Sequence, residues 1–425
     1  MSRLPRHLLP DTATFAADRS LSVGGLPLVD LAGEFGTPLF VYDEAHLRAR
    51  CREAVAAFGD GVAYASKAFL CLAMARLAHE EGMWLDVSTG GELHVALSAG
   101  VPASRCVLHG NNKSLDELRT ALGAGIGRVV VDSFDEMDRL DALAAEGLAA
   151  PQVLIRVTPG VEAHTHEFVQ TGQEDSKFGF GWHSGAATEA VARARGSASM
   201  ELVGLHVHIG SQVFVAENYA AAIDVVAPLA REHNLAEFCI GGGLGVAYVE
   251  GEEAPTISQW GRVILDECAK AGVPGRVSAE PGRSIVATAG MTLYTVGTIK
   301  EVPGIRTYVA VDGGMSDNPR PVLYGSGYET FLPRAADTDR PREVRVVGMH
   351  CESGDLLVRE AKVPADLAVG DILATPVTGA YGHSMGSNYN KVTRPAVVFV
   401  ADGSARLVVR RETYDDLISR DLPVA

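Results

Sequence analysis

With 425 residues, 47% of them hydrophobic and 21% charged, the chain carries enough apolar material for a large buried core, which excludes a mainly disordered protein. Asp and Glu (53) outnumber Lys and Arg (37), and the net charge of -16 argues against a nucleic-acid or anionic-membrane partner. Six scattered cysteines without a C-x-x-C pair, an N-terminus broken by charge and proline, and no run of about 18 apolar residues predict a cytoplasmic protein, neither exported nor membrane-spanning.

From Val62 onward, short β-rich runs alternate with segments of helical periodicity, the signature of repeated βα units around a parallel sheet. The runs are Val62 to Ser66, Trp84 to Val87, Cys106 to His109, Arg128 to Asp132, Val153 to Val157, Leu202 to His208, Phe238 to Ile240 and Arg276 to Ala279. Helices are predicted over Leu70 to Glu81, Gly91 to Ala99, Ser114 to Gly123 and Asp135 to Ala145, where apolar residues recur at spacings of three and four. Eight such units predict an α/β fold built on a closed (β/α)8 barrel, which takes about 250 residues. After Glu280, short strands separated by Pro, Gly and Asp turns run from Met291 through Val409, predicting a second, mostly β domain. The expected division is a barrel over residues 37–284 and a β domain from residues 1–36 plus 285–425. The polar segment from His164 to Phe180 reads as an ordered active-site loop.

Barrel enzymes build their sites at the C-terminal ends of the strands. Those ends read Lys67, Asp86, His109, Asp132, Arg156, His208, Gly243 and Glu280. Lys67 closes Tyr64-Ala65-Ser66-Lys67, where a partly desolvated amine can condense with an aldehyde cofactor; it also reads as a lysine on a solvated rim. The glycines at 241, 242, 243 and 245 let backbone approach a phosphate, or simply serve a tight strand-to-helix turn. Glu280-Pro281-Gly282-Arg283 offers a carboxylate able to hold a pyridine nitrogen protonated and a guanidinium suited to phosphate or carboxylate, or else a surface ion pair. His206 and His208 share one strand face and invite a metal, with His164 and His166 as further ligands. A histidine stacked on a flat cofactor accounts for the pattern with one ring, and no metal is expected. Cys351-Glu352-Ser353-Gly354-Asp355 is the most reactive-looking cysteine context: a thiol can protonate a carbanion and a carboxylate can hold an ammonium, although an isolated cysteine is also ordinary packing.

In chain order these motifs, together with His109-Gly110-Asn111-Asn112-Lys113, Asp175-Ser176-Lys177-Phe178-Gly179, His208-Ile209-Gly210-Ser211 and Gly379-Ala380-Tyr381-Gly382, resemble the fold type III decarboxylases that depend on pyridoxal 5'-phosphate, over roughly residues 37 to 400. The resemblance implies an alanine racemase-like barrel in which Lys67 holds the cofactor, His208 stacks on its ring and Glu280 pairs with the ring nitrogen. Asp86 would support the Lys67 linkage. Ser211, Gly242, Gly243, Pro281, Gly282, Arg283 and Tyr381 would surround the phosphate or its neighbourhood. Cys351 and Glu352 would reach into the partner's site across a homodimer interface. Arg320 and Tyr324, with Arg283 and Tyr381, would grip the substrate's distal carboxylate. Within the family the run Asp317-Asn318-Pro319-Arg320-Pro321-Val322-Leu323-Tyr324 is similar to that of members acting on meso-diaminopimelate, which implies decarboxylation to L-lysine as the last step of lysine biosynthesis.

The rival within the family is a decarboxylase of ornithine, arginine or a carboxylated polyamine, substrates that do not need Arg320. An amino-acid racemase with a related barrel has no obvious place for Cys351-Glu352. A catalytically dead regulatory homologue could lose Lys67, Glu280 or Cys351, and all three stand. With no kinase-like extension before the barrel, a single activity is expected; His383 and Gly386 have no assigned task.

Overall fold

The computed structural model describes residues 4–161, 173 and 175–422, and the chain divides into two compact units. One spans Arg50–Val246 and Ala254–Ile285; the other spans Met1–Ala49, Ala247–Glu253 and Val286–Ala425.

In the first unit, eight parallel strands run Ala63–Ala65, Trp84–Val87, Cys106–Leu108, Arg128–Val131, Gln152–Thr158, Glu201–Val207, Glu237–Cys239 and Arg276–Ser278. The Ala63 and Ala65 N–H groups donate to the Ala279 and Pro281 carbonyls at 2.9 and 3.1 Å, which brings the exit of the eighth strand back to the first. All eight predicted runs are therefore strands of one barrel, and a two-residue strand, Phe180–Gly181, pairs alongside the fifth. The predicted loop from His164 to Phe180 lies largely outside the described residues, His164 and His166 included.

Local chemistry starts and stops the intervening helices. Ser114 and Glu117 form a reciprocal capping box before Leu115–Ala124, and left-handed Gly125 ends that helix. Thr256 and Gln259 do the same for Ile257–Lys270, which buries Ile257, Trp260, Gly261, Ile264 and Cys268 at helical spacing. Inside the barrel, Ala63, Val107, Leu154 and Cys239 from alternate strands pack with Trp84 and Val130 into an apolar layer.

Lys113, read in sequence only as part of a motif, is a buried staple between strand exits. Its ammonium donates to the Gly110 and Val130 carbonyls at 2.7 and 2.6 Å and pairs with Glu136 Oε1 at 2.7 Å. Glu136 Oε2 accepts the Asp132 N–H at 2.9 Å, so three segments share one network. Burial pushes the Glu136 carboxyl up against the opposing pull of Lys113.

The second unit holds a meander of three short strands, Thr14–Phe15, Leu21–Val23 and Leu26–Pro27, and an eight-stranded sheet. That sheet corrects the expected boundary at residue 37. Leu39–Asp43 pairs antiparallel with Gly290–Val302 and parallel with Ala396–Ala401, so residues 37–49 belong with the β unit. All five residues of that strand are buried, because both faces of a central strand are covered; such a run cannot be told from a barrel strand by pattern alone. The excursion Ala247–Glu253 also joins this unit. Among the described residues no helix is long and apolar enough to cross a membrane.

Lys113→Met leaves the Glu136 carboxylate buried without its cation and is expected to cost about 3–5 kcal/mol of stability. Thermal unfolding followed by circular dichroism should show a lowered midpoint that Lys113→Met/Glu136→Leu largely restores; an unchanged midpoint in the single variant contradicts the staple.

Candidate active site

Side chains on a strand share a face every second residue. Two positions beyond the apolar layer therefore come Ala65, Asp86, His109, Asp132, Arg156 and Gly241, and the barrel interior changes from hydrocarbon to charge within one residue pair. Asp86, His109, Asp132, Arg156, His206 and Glu280 are all buried.

At the centre is Glu280. His109 Nε2 lies 2.9 Å from its Oε1 and His206 Nε2 lies 2.9 Å from its Oε2, so each carboxylate oxygen has its own imidazole. Burial works against the charge of Glu280, but the two histidines outweigh it and hold the carboxyl well below the usual carboxylate range. Asp86 lies 3.7 Å from His109 Nε2, and burial lifts its carboxyl to about 6. His109 is drawn down by burial but raised overall by Asp86 and Glu280, whereas burial dominates for His206 and lowers it. The donor atoms of His109, His206 and Glu280 lie within 4.8 Å of one another, and the two 2.9 Å spacings are those of direct N–H to oxygen hydrogen bonds.

Lys67 is exposed in an otherwise buried stretch, in the turn Ser66–Ala68 that leaves the first strand. The Tyr64 hydroxyl, donating to the Phe69 carbonyl at 2.6 Å, ties that turn down. The Lys67 charge acts on both Asp86 and His208, so the three share one electrostatic neighbourhood. His208 accepts the Gly242 N–H on Nδ1 at 3.2 Å, which puts the proton of a neutral ring on Nε2; burial, then Lys67, keep that ring neutral. His206 and His208 share one strand face, and their ring nitrogens serve different groups, Glu280 and the Gly242 N–H.

The glycine turn is a close-packing device. A Cβ on Gly242 would lie 2.2 Å from the Glu280 carbonyl, and one on Gly243 (φ 108) would lie 2.2 Å from the Gly210 carbonyl. This crowding brings the ends of the sixth, seventh and eighth strands together, so that the Arg283 Nη2 reaches Ser211 Oγ at 2.9 Å. Pro281 and Gly282 are buried, and a Cβ on Gly282 would lie 2.9 Å from Ala65, fixing the eighth strand's exit against the first. Of the predicted set, the structure thus assembles Lys67, Asp86, His208, Ser211, Gly242, Gly243, Glu280, Pro281, Gly282 and Arg283 at one end of the barrel.

The remaining predicted residues lie in the second unit. Arg320 is buried, with its guanidinium 4.1 Å from the Tyr248 ring centroid and its Nη1 2.5 Å from the Tyr328 hydroxyl. A planar cation lying over one aromatic ring and hydrogen-bonded to the hydroxyl of a second keeps its charge while losing rotational freedom. Tyr324 ends the short helix Arg320–Tyr324 that Arg320 begins. Tyr381 has φ 60, an uncommon value for a side-chain-bearing residue, in a loop secured by the Tyr42 hydroxyl on the Gly379 carbonyl at 2.7 Å. Cys351 and Glu352 are exposed, and the Tyr389 hydroxyl donates to Glu352. Asp355 is buried and accepts the Met315 and His350 N–H groups at 2.7 and 2.8 Å, so this carboxylate shapes the turn that carries Cys351.

Sequence reasoning missed His109 and His206 as partners of Glu280, and Tyr248 and Tyr328 as partners of Arg320. A signal for the first pair existed: His206 is two residues before His208 and therefore inward, one layer down. Tyr248 carried none, since it sits in a short excursion whose return to the β unit is a tertiary event.

A family profile described as "Pyridoxal-dependent decarboxylase, pyridoxal binding domain" matches residues 44–287. The chain is 49% identical to the diaminopimelate decarboxylase of Mycobacterium tuberculosis over 94% of each chain, and 46% identical to that of Bacillus subtilis over 95% of each. Among solved structures it is similar to diaminopimelate decarboxylase from M. jannaschii in co-complex with L-lysine, with TM-score 0.91 and 32% identity over 97% of this chain and 98% of that one. The Helicobacter pylori diaminopimelate decarboxylase complexed with L-lysine gives TM-score 0.86 at 32% identity, over 92% and 98%. An (α/β)-barrel whose mouth gathers an amine, a close-packed glycine turn and an ionised buried carboxylate agrees with these matches, and the chain belongs to the diaminopimelate decarboxylase family of pyridoxal-dependent decarboxylases.

Proposed function

We propose that this enzyme removes carbon dioxide from meso-diaminopimelate to give L-lysine, using pyridoxal 5'-phosphate held at the barrel mouth through Lys67. The observation that carries the reading is Glu280, a buried carboxylate kept ionised by two imidazoles close to Lys67 and His208. The described residues fit the cofactor. Glu280 offers a fixed negative charge for a ring nitrogen, His208 is a half-buried neutral ring suited to stacking, and Arg283 with Ser211 beside the crowded glycine turn suits a phosphate. When bound, the cofactor supplies an electron-accepting ring for the pair released as the carboxylate leaves.

The chain's own residues then divide the work. Lys67 Nζ is the amine that would hold the cofactor through its aldehyde group, near Asp86, whose carboxyl burial lifts to about 6. Glu280 is the carboxylate that would hold a proton on the ring nitrogen. Arg320, a desolvated cation, holds the carboxylate that survives in the product, assisted by Tyr324 and Tyr381. Cys351 returns a proton to carbon; it is the exposed one of the six cysteines, none of which is in a disulfide, and this also supports a reducing, cytoplasmic setting. With Glu352 beside it as a contact for the substrate's second ammonium, Cys351 acts in the partner's site of a homodimer.

Carbon dioxide release from meso-diaminopimelate, ornithine and arginine, measured side by side with and without added cofactor, is expected to be cofactor-dependent and confined to meso-diaminopimelate. Faster release from ornithine or arginine would replace the substrate assignment. Arg320→Ala should weaken meso-diaminopimelate and L-lysine in parallel, by about 100-fold each, because both carry the surviving carboxylate. Inhibition by 1,5-diaminopentane, which has no carboxylate, should change by less than about threefold. Equal losses for all three compounds would remove Arg320 from carboxylate recognition.

A further inference from the structure

Resting on the reading of Lys67 and Glu280 above, we infer that His109 and His206 are positioning residues that clamp Glu280, one on each carboxylate oxygen, so that its plane and its charge stay directed at the cofactor's ring nitrogen.

The geometry leaves each ring one hydrogen-bonding arrangement. Both Nε2 atoms face a carboxylate oxygen at 2.9 Å, and a bare ring nitrogen there would oppose one acceptor to another, so both must carry a proton on Nε2. For His206 the consequence is visible on the far side of the ring. Its Nδ1 is buried without a hydrogen-bond partner, the cost of fixing Nε2–H toward Glu280. The rings are 5.0 Å apart and inclined by 69°, so they approach the carboxylate from different directions and restrain its rotation as well as its position. Asp86, 3.7 Å from His109 Nε2, supports a charged ring on that side, while among the described residues Glu280 is the one carboxylate paired with His206. The two histidines therefore differ: Asp86 and Glu280 favour a charged ring at His109, whereas burial favours a neutral donor at His206.

The function of such a clamp follows from proton competition. A buried carboxylate facing a pyridinium can accept its proton, and both groups then lose their charge together. Two N–H donors make the carboxylate the weaker base, so the proton stays on the ring. Neither histidine needs to touch substrate or cofactor for this.

The test uses the holoenzyme loaded with ring-15N pyridoxal phosphate, together with His109→Leu and His206→Leu, made singly so that one misfolded variant does not remove the other. The 15N spectrum of wild type should show a protonated ring nitrogen. Each Leu variant should shift it toward the unprotonated position and lower kcat by about 100-fold with KM for meso-diaminopimelate nearly unchanged. His109→Gln and His206→Gln, which retain an N–H donor, should restore the protonated signal. A Leu variant that keeps both the protonated signal and the wild-type kcat overturns the clamp. In the cofactor-free chain at pH 7, a 13C-carboxyl label should report Glu280 ionised in wild type and protonated in the Leu variants. This reading judges the clamp even if wild type takes up no pyridoxal phosphate, a result that would instead sink the functional reading.

Discussion

A carboxylate taken out of water either neutralises itself or must be supplied with partners. Glu280 is supplied with two, drawn from strands 171 and 74 residues away in the sequence, and everything else at the barrel mouth is arranged around that arrangement. The eighth strand must end where the third and sixth present imidazoles inward, which only a closed barrel of this register achieves. Asp86 belongs to the same cluster: burial lifts its carboxyl to about 6 against the opposing pull of His109. The glycine turn follows as well, since Gly242 packs directly on the Glu280 carbonyl and spends its N–H on His208.

Two kinds of buried charge network occur in the barrel unit, and they differ in purpose. The Lys113–Glu136 pair closes on itself: the ammonium donates to two backbone carbonyls, Glu136 Oε2 accepts a backbone N–H, and Oε1, which makes no hydrogen bond, faces the ammonium in a 2.7 Å ion pair. The Glu280 cluster is left partly unsatisfied, with His206 Nδ1 and Asp86 Oδ1 lacking hydrogen bonds. Incomplete satisfaction in an otherwise well-packed interior is the physical mark of a site prepared for something besides folding. In the β unit, the Tyr248–Arg320–Tyr328 cage applies a related principle to a cation, stacking it so that it stays charged and fixed.

Much of the barrel was legible in the sequence because its strands are short, β-branched and regularly spaced, and because reactive residues fall where strands end. Lys67, Asp86, His208 and Glu280 could be picked out individually on that basis. Their mutual geometry could not, since the partners of Glu280 come from strands whose separation is set by barrel closure. Leu39–Asp43 was misassigned for a different reason: a strand buried on both faces has the same apolar run in either unit. Tyr248 escaped notice because the Ala247–Glu253 excursion carries no periodicity at all.

The central claim is that a negative charge at position 280 makes the bound ring an electron sink. Glu280→Gln changes that charge with almost no change in shape, and single-turnover decarboxylation by the cofactor-saturated variant reads the consequence directly. The account predicts a rate at least about 1,000-fold below wild type with cofactor still bound at Lys67. A variant that decarboxylates meso-diaminopimelate at the wild-type rate would contradict it.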